Sequence, residues 1–161
     1  WAEGVWRVKC SIAADGSHDW QAAPLAALEG AQSVCMAEAV LPKHDVLRRY
    51  KTQAREQFDA VWQQAAEQGA FDGLLFNTDG VLLEGGRSNV FVEIDGAWYT
   101  PALDLDVLNG VMRQAVMAEP LRFGFASGIQ ESRSITREGL QAATQIRLSN
   151  ALRGVFEVSL M

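Results

Sequence analysis

The stretch "FDGLLFNTDGVLLEGGRSNVFVEIDGAWYTP", residues 71–101, decides how the chain is read. Its aliphatic and aromatic runs are separated by two turn dipeptides, Asp79-Gly80 and Asp95-Gly96. Asp-Gly between apolar runs is a strong hairpin signal, because glycine takes a positive φ without steric cost. The stretch therefore predicts two successive hairpins. Between them, "EGGRSN" puts an acid at the end of an apolar strand, followed by two glycines that let the backbone approach something closely.

Outward from this centre the same grammar continues. "GVWRVKCSIAADGSHDWQA", residues 4–22, alternates apolar and polar residues around Asp15-Gly16 and predicts another hairpin. "SVCMAEAVL" predicts a third short strand, ended by Pro42. A helix is expected from about Asp45 to Gln68, with Ala54, Phe58, Val61, Trp62 and Ala65 as its apolar stripe and Gly69 just past its end. "LDVLNGVMRQAVMAE" predicts a loop feeding a helix that starts near Gly110 and stops before Pro120. A strand-like piece from Phe123 to Ile129, a short helix after Thr136, and terminal strands "TQIRLS" and "GVFEVSL" complete the series. Meandering antiparallel strands with a few helices between them read as α+β.

The bulk properties narrow the function. A chain of 161 residues supports one sizeable core, and 48% apolar with 21% charged residues is ordinary for a globular protein. A net charge of −6, with no basic patch beyond Arg48-Arg49, argues against nucleic acid or anionic membrane as a partner. No apolar run reaches the length of a membrane span and no secretory signal precedes the first strand, so a cytoplasmic protein is expected. Cys10 and Cys35 lie in apolar runs and read as buried reduced thiols. His18 and His44 have no companions at metal-ligand spacing, so no metal site is expected. The chain opens "WAEGVWRVKC", without an initiator Met, and is expected to be a fragment, a processed product or a segment of a longer polypeptide.

Four positions could carry chemistry. Lys51, read as sitting near a helix start with Arg48, Arg49 and Arg55 close by, is placed where its protonated form is disfavoured. A deprotonated amine is what Schiff-base chemistry needs; the ordinary reading is a solvated helix lysine. Glu84 could hold a proton on a heterocyclic nitrogen, or be a strand-end acid at a turn. Gly110 before a helix offers free N–H groups to an anion, or is a plain loop-to-helix junction. Ser149 and Asn150 in "RLSNALRG" could reach a phosphate, or make a turn.

Their order and spacing add what each lacks alone. Lys51 and Glu84 stand 33 residues apart, and the glycine-opened helix and Ser-Asn pair follow. The series resembles the fold-type IV pyridoxal-phosphate enzymes: branched-chain and D-amino-acid aminotransferases and aminodeoxychorismate lyase. "YKTQAREQFD" keeps the Lys, Thr, Arg and Asp of a segment usually written "HKTT-R---D". Residues 71–101 follow that family's most characteristic stretch, "LNGVMR" matches L-P-G-x-x-R, and "LSNALRGV" is similar to the closing motif of the lyase-like branch. The likeness is nearest to the lyase-like domain often fused behind para-aminobenzoate synthase component I, and spans about residues 5 to 160. Departures are Tyr50 for His, Gln53 for Thr and Asn109 for Pro.

The resemblance implies an α+β, D-amino-acid aminotransferase-like large domain at residues 45–161, with residues 1–44 as remaining strands of a small domain. It implies pyridoxal 5′-phosphate as cofactor, with Lys51 bonded to its aldehyde and later moving protons as a base. Glu84 would pair with the pyridinium nitrogen. Val111 and Met112 after Gly110, with Ser149 and Asn150, would hold the phosphate, and Arg55 and Asn89 would also bind the cofactor. The implied reaction takes a small amino-bearing molecule: pyruvate is eliminated from 4-amino-4-deoxychorismate, giving 4-aminobenzoate for folate synthesis. A class IV aminotransferase and a non-catalytic interaction domain of the same fold are the alternatives. About a hundred preceding residues would complete a family member; without them, an open strand edge favours a homodimer, the family's usual state, or pairing with a missing segment or fused synthase domain.

Overall fold

The computed structural model describes residues 4–161, which fall into two compact units, one ending at Gly30 and the other running from Ala31 to Met161. In the first, β1 (Trp6–Ile12) pairs antiparallel with β2 (His18–Pro24) in the register Cys10 opposite Trp20. The connecting turn is fastened by Asp15, whose carboxylate accepts from the Ser17 N–H at 2.9 Å and hydroxyl at 2.6 Å. This is the hairpin that Asp15-Gly16 predicts. Cys10 is exposed on it and Cys35 is half-buried, so neither is the buried thiol expected.

The second unit is built on a mixed eight-stranded sheet. Its strands are β3 (Gln32–Leu41), β4 (Asp72–Asn77), β5 (Leu82–Gly85), β6 (Asn89–Ile94), β7 (Ala97–Pro101), β8 (Ile129–Ser132), β9 (Gln145–Asn150) and β10 (Gly154–Leu160). They lie in the order β5-β4-β3-β10-β9-β6-β7-β8. Both central hairpins fall where the Asp-Gly pairs put them. Asp95 (φ 51°) and Gly96 (φ 75°) are both left-handed, as a two-residue turn matched to the strand twist requires. The meander is not antiparallel throughout: β3 runs parallel to β4 and β10, and β7 runs parallel to β8. A helix lies between β3 and β4 and another between β7 and β8, as parallel neighbours joined by a crossover require. β3 belongs to this sheet, so the strand grouped by sequence with the opening hairpin is hydrogen-bonded to the rest of the 31–161 unit.

Among the described residues, three α-helices accompany the sheet: α1 (Glu56–Glu67), α2 (Val111–Ala118) and α3 (Arg137–Gln141). Phe58 and Val61 of α1 pack with Ala37, Leu41, Leu75, Leu83 and Val107. Phe91, Trp98, Val116 and Phe125 form a second cluster, with the Trp98 and Phe125 rings edge-on at 4.7 Å. Every residue of β4 is buried, so that strand is covered on both faces. Thr136 caps α3 by accepting from the Gly139 N–H.

Two expected elements differ. The helix predicted over 45–68 is split: a short 3₁₀ turn, Val46–Arg49, is followed by an extended Tyr50, and α1 begins only at Glu56. The buried guanidinium of Arg48 explains the break, since it donates to the carbonyls of Pro42 (2.6 Å), Leu105 (3.1 Å) and Asp106 (3.4 Å), holding the turn against another part of the chain. The strand expected at Phe123 to Ile129 forms later, at Ile129–Ser132; Pro120–Phe123 make a 3₁₀ turn that Gly124 (φ 79°) ends.

Candidate active site

A cavity of about 220 Å³ opens between the Lys51 segment, the end of β5, the start of α2 and the turn after β9. All nine residues singled out from the sequence line it: Lys51, Arg55, Glu84, Asn89, Gly110, Val111, Met112, Ser149 and Asn150. Arg87, Ser88, Leu108 and Asn109 complete much of the wall.

Lys51 reaches this pocket from the extended stretch between the 3₁₀ turn and α1, five residues before the helix begins. The helix-start argument for its basicity therefore does not apply. Its pKa is lowered all the same, first because the surroundings desolvate the ammonium and then because the Arg55 guanidinium repels it; Glu84 and Asp59 pull the other way. Arg48 and Arg49, expected to help, are engaged elsewhere: Arg49 binds the buried Asp106 carboxylate at 2.6 Å through its Nε.

Glu84 sits on the fully buried strand β5. Burial pushes its carboxyl up to about 7, against the pull of the Leu108 N–H, which donates to Oε1 at 3.1 Å, and of Arg55, Arg48 and Lys51. A carboxyl that titrates near neutrality can share a proton with a heterocyclic nitrogen. Arg55, just before α1, donates to the Gly86 carbonyl at 2.5 Å and stacks over Phe58, which fixes its charge beside the amine.

The opposite end of the pocket suits an anion. Gly110 precedes α2, whose first N–H groups, those of Val111 and Met112, have no partner within the helix. A Cβ at Gly110 would run into Asn89 Oδ1, so the backbone approaches Asn89 as only glycine can. Asn89 in turn donates to the Leu108 carbonyl at 2.8 Å, locking the loop that leads into the helix. Ser149 on β9 is fully buried, and its Oγ has no hydrogen-bond partner among the described residues. A buried hydroxyl left unpaired costs about 1–3 kcal/mol unless something else binds it. Asn150 is turned to its own backbone: its Oδ1 accepts from Leu152 and Arg153, and its Nδ2 lies 3.5 Å from the Arg87 carbonyl.

Sequence reasoning did not find Asp72. This wholly buried residue accepts from the Ser88 hydroxyl at 2.5 Å, the Arg87 N–H at 3.1 Å and the Gly73 N–H at 3.0 Å. It thereby shapes the Gly85–Ser88 turn that follows Glu84. The signal was an acid opening a mostly apolar strand, with two glycines after Glu84; a Cβ at Gly85 or Gly86 would press on the Asp72 carboxylate.

Comparisons with known proteins agree with this arrangement. The description amino-transferase class IV matches residues 12–161. D-alanine aminotransferase of Bacillus licheniformis is 30% identical over 100 residues, which cover 62% of this chain and 34% of that enzyme. The matched chain thus spans about a third of its curated relative. A structure from Mesorhizobium loti, provisionally assigned as an amino-acid aminotransferase, superposes with a TM-score of 0.84 at 26% identity, over 97% of this chain and 73% of that one. The fold is also shared with a Legionella pneumophila protein provisionally assigned as 4-amino-4-deoxychorismate lyase, at TM-score 0.78 and 24% identity, over 89% of this chain and 53% of that one. Fold, pocket and family match coincide, and this chain belongs to the amino-transferase class IV family, whose members are pyridoxal-phosphate-dependent aminotransferases and lyases.

Proposed function

We propose that this chain is the cofactor-binding part of a pyridoxal 5′-phosphate enzyme of the aminodeoxychorismate-lyase type, acting on 4-amino-4-deoxychorismate to release pyruvate and leave 4-aminobenzoate. One observation carries the reading: a single pocket gathers an amine of lowered pKa, a buried carboxyl titrating near 7, and an anion cup that ends in an unpartnered buried hydroxyl. The residues suit the cofactor. A phosphate oxygen would satisfy Ser149 Oγ and the Val111 and Met112 N–H groups, and Glu84 would hold the proton on the ring nitrogen. Lys51 is the amine for its aldehyde. When bound, the cofactor supplies an electron sink for the carbon that bears the substrate's amine.

Each residue then has a task. Lys51, poised to lose its proton, takes the hydrogen from the amine-bearing carbon. The bond from ring carbon to enolpyruvyl oxygen breaks, the departing enol gains a proton on its methylene carbon to become pyruvate, and the ring is left aromatic. Arg55 favours the unprotonated amine through its charge and steadies the Gly86 backbone. Asn89 keeps the approach to α2 fixed. The closing segment "LSNALRGV" supports the lyase over other family chemistries. A homodimer in the cytoplasm completes the proposal.

The likeness to D-alanine aminotransferase favours a second reading, transfer of an amino group to a 2-oxo acid. The experiment supplies the cofactor-loaded protein with 4-amino-4-deoxychorismate and no oxo acid. Equal amounts of pyruvate and 4-aminobenzoate support the lyase. Turnover of amino acids only when an oxo-acid acceptor is added supports the aminotransferase. Turnover of neither points to a non-catalytic domain.

A further inference from the structure

Arg48 is buried, and among the described residues its hydrogen bonds go to backbone carbonyls rather than to a carboxylate. A buried guanidinium normally pairs with an acid. Here all three donor nitrogens are spent on backbone carbonyls from two distant parts of the chain: Pro42, six residues before it, and Leu105 and Asp106, nearly sixty residues after it. Arg49 reinforces the join through the Asp106 side chain, and Asp106 itself is left-handed at φ 61°. The two segments so joined lead directly into the pocket. Lys51 lies three residues beyond Arg48, and Leu108, whose N–H binds Glu84 and whose carbonyl binds Asn89, lies two residues beyond Asp106.

We infer that Arg48 is a positioning residue: its three-carbonyl clasp holds the Lys51 side of the pocket to the Leu108 side, and so to the N–H that binds Glu84. The inference rests on the proposed role of Glu84 only for its catalytic consequence. The geometry stands without it. Burial dominates the Glu84 pKa and raises it; the Leu108 N–H opposes this first, and the charges of Arg55, Arg48 and Lys51 follow. Arg55 and Lys51 line the pocket, where a ligand changes their surroundings. Arg48 does not line it, so its influence is built into the fold.

Two variants of the cofactor-free chain test the clasp and its link to Glu84. Arg48→Lys keeps the charge but cannot reach three carbonyls, so the Leu108 amide should exchange with solvent about tenfold faster, the scale expected for one or two lost hydrogen bonds. Amides of α1 and β4 should keep their wild-type rates, which a general loosening would not allow. Arg48→Met removes the clasp altogether, and the Glu84 carboxyl, followed by carbon-13 NMR, should titrate at a higher pH than in the wild type. An unchanged Leu108 exchange rate in Arg48→Lys overturns the clasp, and if Arg48→Met does not fold that measurement still decides. An unchanged Glu84 midpoint in folded Arg48→Met overturns the link from the clasp to Glu84. Neither readout uses cofactor or turnover, so failure of the lyase proposal leaves a different signature: a wild-type chain that binds no cofactor, with both Arg48 effects intact.

Discussion

Replacing Gly110 by alanine tests the pocket's geometry more sharply than removing any charged group. The backbone there has φ −61° and ψ 148°, which alanine adopts freely, so any cost comes from space rather than strain. The new methyl would meet Asn89 Oδ1 well inside van der Waals contact. Asn89 is 7% exposed and its Nδ2 is bonded to the Leu108 carbonyl at 2.8 Å, so it yields only by giving up that bond. Overpacking costs about 1–3 kcal/mol and the lost hydrogen bond about 0.5–1.5 kcal/mol. The expected destabilisation is therefore about 2–4 kcal/mol, a fall in melting temperature of roughly 5–15 °C for a chain of this size. Gly128→Ala is the control: a Cβ there meets nothing within 4 Å, and its melting temperature should hold or rise slightly. The assay is thermal unfolding of Gly110→Ala, Asn89→Ala and the double variant. If the clash is the cause, Gly110→Ala should cost almost nothing once Asn89 is already alanine. A full cost in that background, or no cost in the wild type, would refute the reasoning.

Glu84→Gln should change how stability depends on pH. The carboxyl rises from 4.5 to about 7 on folding, so the folded chain binds the proton more tightly; stability is greatest below the unfolded value and falls as pH climbs from 4.5 through 7. At about 1.36 kcal/mol per unit the fall amounts to about 3 kcal/mol, and denaturant titrations of the cofactor-free variant across that window should lack it. Ser149→Ala removes an unpartnered hydroxyl, so cofactor-free stability should stay level or rise by up to about 1 kcal/mol while affinity for pyridoxal phosphate drops about tenfold, read by melting and by equilibrium binding. Asp72→Asn sets an amide against three donors, and urea unfolding should show a loss of about 2–4 kcal/mol.

What could be read from the sequence was local. Asp15-Gly16, Asp79-Gly80 and Asp95-Gly96 each became the turn they promise, because an Asp-Gly turn is decided by a few backbone angles. Gly110 likewise opens a helix where its spacing before Pro120 puts one. The misread features depend on partners far along the chain. The break before Lys51 comes from Arg48 reaching Leu105 and Asp106, and no periodicity near residue 48 records those carbonyls. The parallel pairing of β3 with β10 joins residues more than a hundred apart. The pocket residues were named through a family resemblance, which their order along the chain brings out. The causes acting on them were not: Lys51 is made less basic by desolvation and Arg55 rather than by a helix terminus, and the weight of burial on Glu84 shows only once β5 is seen to be enclosed.

The central claim is that Lys51 faces a pyridoxal-phosphate site, and one measurement meets it directly. The purified chain is mixed with pyridoxal phosphate, its visible absorption is recorded, and the mixture is reduced with borohydride and mapped by peptide mass analysis. The account predicts an absorption band of a bound cofactor and a single pyridoxyl adduct on Lys51, both lost in Lys51→Ala. No band, or adducts spread over Lys9, Lys43 and Lys51 alike, would contradict it.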